Sequence, residues 1–88
     1  MTEVFLDPEA DQELLRLESD PMAEKLLRRV NDMLDALERD TSDPALRRHR
    51  FSNGLWYVLI PYHRGDYALL WEPHGDAVAV RYLGPDFR

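Results

Sequence analysis

Tyr67-Ala68-Leu69-Leu70-Trp71-Glu72, the turn His74-Gly75-Asp76, and Ala77-Val78-Ala79-Val80-Arg81-Tyr82-Leu83 read together as one β-hairpin. Both flanks are rich in β-branched and aromatic residues, and the turn carries a glycine. Gly84-Pro85 ends the second flank, and Arg64-Gly65-Asp66 marks another glycine-containing hairpin turn just before the first. Upstream of that turn, Leu55-Trp56-Tyr57-Val58-Leu59-Ile60 is a continuous apolar and aromatic run, which predicts a central strand covered on both faces. Asn53-Gly54 is a tight turn, and Leu46 to Phe51 forms a short, Arg-rich strand candidate. The C-terminal half is therefore expected to be an antiparallel meander.

The N-terminal half has a different period. Thr2-Glu3-Val4-Phe5-Leu6 is a short β-like run that stops at Asp7-Pro8. There Asp7 suits an N-cap and Pro8 the first helical position, where a missing N–H does no harm. Glu9, Asp11 and Glu13 follow at the end of the helix that favours negative charge, and Ala10, Leu14 and Leu17 make an apolar stripe. The same device recurs at Asp20-Pro21. It opens a helix of about 18 residues with Met22, Leu26, Val30, Met33, Leu34 and Leu37 on one face. Arg28, Arg29, Asp32, Asp35 and Arg39 lie on the other face, and Asp40-Thr41-Ser42-Asp43-Pro44 ends the helix.

The predicted order is β-α-α-β-β-β-β, an α+β fold. Two helices must cover one face of an antiparallel sheet of three or four strands, because neither layer buries its apolar side alone. Eighty-eight residues allow one domain, spanning residues 1–88. The absence of cysteine excludes disulfides and thiolate metal sites, and a reducing cytoplasm is the expected compartment. No secretory leader is expected from Met1-Thr2-Glu3, and no apolar run is long enough for a bilayer. The three histidines, His49, His63 and His74, lie on separate elements, so no metal site is expected; nor is any cofactor. The net charge of −6 is unevenly spread, with −8 in residues 1–45 and +2 in residues 46–88. A fold that depends on phosphate contacts normally carries a strong basic face, and here that face is weak.

In order and length the chain resembles the RelE/ParE superfamily of type II toxin–antitoxin toxins. The resemblance rests on Asp7-Pro8-Glu9-Ala10, on Gly65-Asp66-Tyr67-Ala68-Leu69-Leu70-Trp71-Glu72, and on Val80-Arg81-Tyr82-Leu83-Gly84, in that order. It implies a cognate antitoxin as partner and the ribosome with its mRNA, or DNA gyrase, as target. Membership also implies basic residues on the central strand, where this chain has Leu59 and Pro61. An arginine after the penultimate-strand tyrosine is replaced by Ala68, and one beyond the last strand by Asp86. A C-terminal tyrosine or histidine has no counterpart in Phe87-Arg88. RNA cleavage through a ribose 2′-hydroxyl needs a base, an acid and cations for the developing charge, so the usual ribonuclease set is missing.

The residues left to do such chemistry are His63, Arg64 and Arg81, which would make an atypical ribosome-dependent mRNA endoribonuclease. A solvated turn is the plainer account of His63 and Arg64, and a cross-strand ion pair with Glu72 that of Arg81. Arg47, Arg48 and Arg50, with His49, form the basic cluster, suited to phosphate or to an acidic antitoxin segment. The competing account is an edge strand blunted by charge. Glu72 and Tyr82 complete the candidate binding set, Tyr82 as an aromatic beside Arg81 on a protein-binding face. A non-catalytic interaction module on a degenerate toxin fold is the alternative from another class, and a homodimer is compatible with either.

Overall fold

The computed structural model describes residues 2–47, 49–62 and 65–86. Its elements are β1 (Val4–Leu6), α1 (Pro8–Glu18), α2 (Glu24–Arg39), β2 (His49–Arg50), β3 (Trp56–Ile60), β4 (Tyr67–His74) and β5 (Ala77–Pro85). Short 3-10 turns at Pro21–Ala23 and Pro44–Leu46 flank α2. The α+β class is as expected, with both helices against one sheet. The sheet itself has five strands in the order β1-β5-β4-β3-β2 and is mixed, not wholly antiparallel. β1 runs parallel to β5, with Val4 opposite Val78 and Leu6 opposite Val80. A parallel neighbour requires a long crossover, which α1 and α2 supply, and no local turn signal announces it.

Each local expectation meets a physical competitor. The α2 stripe forms as predicted, burying Leu26, Val30 and Leu37, but Met22 is 82 % exposed. Met22 sits in the 3-10 turn before α2, where the helical phase has not yet begun. Asp20 caps that turn by accepting from the Met22 N–H at 2.9 Å. Asp7 occupies the N-cap position of α1 but its carboxylate bonds none of the helix N–H groups. The Arg-rich strand is only two residues long, because Pro44–Leu46 winds into a 3-10 turn and Arg47 exits it. β3 lies between β4 and β2 with helices on one side only, so Tyr57 and Leu59 remain half-buried.

The core lies between helices and sheet: Ala10, Leu17, Leu26, Val30 and Leu37 meet Val58, Ile60, Tyr67, Leu69, Trp71, Val78, Val80 and Leu83. Val78 and Val80 alternate as a regular strand requires, yet Leu83 reaches the same face three positions later. The register explains it: Leu70 pairs with Tyr82 while Trp71 pairs with Val80, leaving Arg81 as an extra residue in a β-bulge. Trp71 is fully buried at the centre, and its indole N–H donates to the Leu46 carbonyl at 3.2 Å. Replacing Trp71 with alanine removes this bond and opens a large void. Urea unfolding is expected to show a loss of about 3–5 kcal/mol, most of the stability of a domain this small.

Candidate functional site

Arg81 stands at the bulge, on the sheet face turned away from the helices, between two carboxylates. Its Nη1 donates to Asp7 Oδ1 at 3.0 Å, and its Nε to Glu72 Oε1 at 2.9 Å. Nη2 also lies 2.8 Å from the same Glu72 oxygen. The expected Glu72–Arg81 cross-strand pair is therefore present, and Asp7 is a third member. Its hydrogen bonds to Glu72 and then to Asp7 raise the guanidinium pKa further above its already high value. This also accounts for the uncapped α1: the Asp7 side chain is drawn to Arg81 and away from the helix N–H groups. Two carboxylates around one guanidinium leave no positive charge to stabilise a phosphorane.

Tyr82, the aromatic expected beside Arg81, folds back along its own strand. Its hydroxyl donates to the Pro85 carbonyl at 2.6 Å, and its ring covers Gly84. A Cβ at Gly84 would sit 2.8 Å from the Tyr82 hydroxyl oxygen, so any side chain there would have to displace the Tyr82 ring. Burial, and then the charges of Glu13 and Asp86, push the Tyr82 phenol up, which favours its neutral form.

Two of the predicted cationic contacts lie over aromatic rings, Arg47 half-buried and Arg50 exposed. The Arg47 guanidinium lies 5.2 Å from the Trp56 ring centre and 5.3 Å from that of Trp71, and its Nε donates to the Thr41 carbonyl. Arg50 lies 4.9 Å from the Trp56 ring centre. These are cation–π contacts that bind the β2 edge to the core. Arg47 lies before the strand and is half-buried over the indoles, while Arg50 stays exposed on β2. Arg48, His63 and Arg64 lie outside the described residues.

A tie that sequence reasoning missed joins α1 to β4. Arg16 Nε donates to Glu13 Oε1 at 2.6 Å, and Arg16 Nη2 to Tyr67 Oη at 2.7 Å. Tyr67 Oη in turn donates to Glu13 Oε2 at 3.0 Å. The Arg16 hydrogen bond is the largest influence on Glu13 and holds its carboxyl below the usual range, against an opposing effect of burial. Burial and the Glu13 carboxylate push the Tyr67 phenol up. The i,i+3 spacing of Glu13 and Arg16 was available as a signal; their partner Tyr67 is far away along the chain. Beside this tie opens a cleft of about 450 Å³, walled by Leu17, Met22, Ala23, Leu26, Tyr62 and Pro85. Arg16, Asp20 and Asp66 supply its polar rim.

Among the described residues, no group of three or more His, Cys, Asp or Glu side chains is placed to hold a metal ion. No helix is long and apolar enough to cross a membrane among those residues. Comparison with protein-family models, with curated proteins and with solved structures finds no match for this chain.

Because the folded-state pKa of Glu13 is lowered, its contribution to stability is fully present above the ordinary glutamate value of about 4.3. That contribution is lost as pH falls through the lowered folded value. The urea midpoint of the native chain is thus expected to exceed that of Glu13→Gln at neutral pH. The two should converge in strong acid, which a series of unfolding curves from neutral pH downward would follow.

Proposed function

We propose that this chain is a RelE/ParE-like component of a type II toxin–antitoxin pair that acts by binding a protein target and does not itself cleave RNA. The element order β-α-α-β-β-β-β, with two helices on one face of the sheet, supports the resemblance. The observation that carries the binding mode is Arg81. It is the one described residue among the catalytic candidates, and it is held by Asp7 and Glu72 at hydrogen-bond distance. Leu59, Pro61 and Ala68 stand where the family's chemistry would need bases and cations, and none can transfer a proton or balance a charge. A mode that inhibits by contact needs none of these groups. DNA gyrase is the target such a mode implies, with a cognate antitoxin as the neutralising partner.

Tightly controlled induction of the chain alone in bacteria tests this, with DNA replication and protein synthesis followed separately. Replication is expected to fall first, and purified protein to inhibit gyrase supercoiling. Arg81→Lys, which keeps the charge but loses the two-sided contact, should retain inhibition in proportion to the folded protein. Ribosome-dependent mRNA cleavage that Arg81→Lys abolishes in a folded protein would overturn the binding mode. Undisturbed growth with folded protein would remove the toxin role and leave a non-catalytic interaction module on the same fold.

A further inference from the structure

The cleft of about 450 Å³ beside Tyr67 is large enough to take a bulky side chain from another molecule. Its outer wall is set by the 3-10 turn between the helices. Asp20 caps that turn through the Met22 N–H, and the Ala23 N–H donates to the Asp20 carbonyl at 3.0 Å. The turn buries Ala23 and leaves Met22 at the cleft as the most exposed large apolar side chain among the described residues. A thioether on an unbranched stem repacks readily around an incoming group. Buried Leu17 and Leu26 and half-buried Tyr62 supply further apolar surface.

The rim is acidic once its described cation is accounted for. Asp20 and Asp66 stand on it, and neither forms an ion pair among the described residues. Arg16 is held by both carboxylate oxygens of Glu13, at 2.6 and 3.1 Å. Glu9, Asp11 and Glu18 of α1 add three exposed carboxylates that also lack an ion-pair partner among those residues. Lys25, Arg28 and Arg29 of α2 do not line the cleft. Apolar walls concentrate such a field, which reaches about 8 Å into physiological salt.

We propose that this cleft docks a basic segment of a partner protein, which inserts one bulky apolar side chain and sets flanking lysine or arginine against Asp20 and Asp66. A buried anchor supplies most of the affinity of such a contact, and charges at the rim supply encounter rate and orientation. The partner's charge is opposite to that of the acidic segment which Arg47, Arg48 and Arg50 would suit, so the cleft is a separate surface. It stands whether or not the chain belongs to a toxin–antitoxin pair.

NMR titration of the isotope-labelled chain with the peptide acetyl-Gly-Lys-Ser-Trp-Ser-Lys-Gly-amide tests it. The expected result is saturable binding with a dissociation constant of about 0.1–1 mM, as suits a single anchor side chain. The largest shift changes should fall on Leu17, Met22, Ala23 and Tyr62. Serine in place of the peptide's tryptophan should weaken binding by about tenfold or more. Asp66→Asn should weaken it by about threefold. Asp76→Asn makes the same change in net charge at the far turn of the β4–β5 hairpin, roughly 25 Å along the sheet, and should leave binding unchanged. Both substitutions are at exposed positions, so the fold is retained. Absence of saturable shifts at the cleft overturns the proposal. Equal effects of Asp66→Asn and Asp76→Asn overturn it by reducing the attraction to net charge alone. Equal binding of the peptide with glutamate in place of lysine overturns the basic partner.

Discussion

At Arg81 the β4–β5 ladder takes in one residue more on β5 than on β4, and much of the architecture follows from where that residue's charge goes. A bulge shifts side-chain phase, so Val78, Val80 and Leu83 all reach the helix-facing core, while an unbroken strand would turn Leu83 outward. The side chain released by the bulge lies on the opposite face, where Glu72 from the neighbouring strand and Asp7 from the end of β1 hold it. One guanidinium thereby joins β1, β4 and β5 at the point where the chain leaves the sheet for α1. The Asp7 N–H also donates to the Val80 carbonyl at 2.9 Å, so backbone and side chain fix the same junction.

Three more arginines are put to comparable use. Arg16 ties α1 to Tyr67 of β4, and Arg47 and Arg50 lie over the indoles of Trp56 and Trp71. In a chain this short the apolar core is limited, and long side chains that cover aromatic rings or satisfy half-buried carboxylates add to it. Each such placement gives a guanidinium a partner within the fold, although Arg16 and Arg50 stay exposed. Among the described residues this adds to the weakness of the basic face implied by the charge balance, and it supports the proposed binding mode.

The elements that could be read from sequence are those whose partners are near in sequence or whose period is strong. The α2 stripe of Leu26, Val30 and Leu37 follows from the 3.6 period, and the β4–β5 hairpin from Gly75 between two β-rich flanks. The Glu72–Arg81 pair was legible for the same reason, as the hairpin brings those two positions together. Met22 was misassigned because the proline device at Asp20-Pro21 opens a 3-10 turn before it opens the helix. Asp7 at Arg81, Tyr67 between Glu13 and Arg16, and β1 alongside β5 all join residues far apart in sequence, for which a single chain gives no periodic signal. Arg47 was read as a strand cation because its aromatic partners lie beyond two turns.

Nitrogen-15 NMR of the Arg81 side chain tests the clamp most directly. A structural Arg81 predicts a resolved Nε–H signal, protected from water exchange at neutral pH, that collapses into rapid exchange in Asp7→Asn/Glu72→Gln protein. A fast-exchanging, freely rotating Arg81 side chain in the native protein would contradict the account and return that guanidinium to the pool of available catalytic cations.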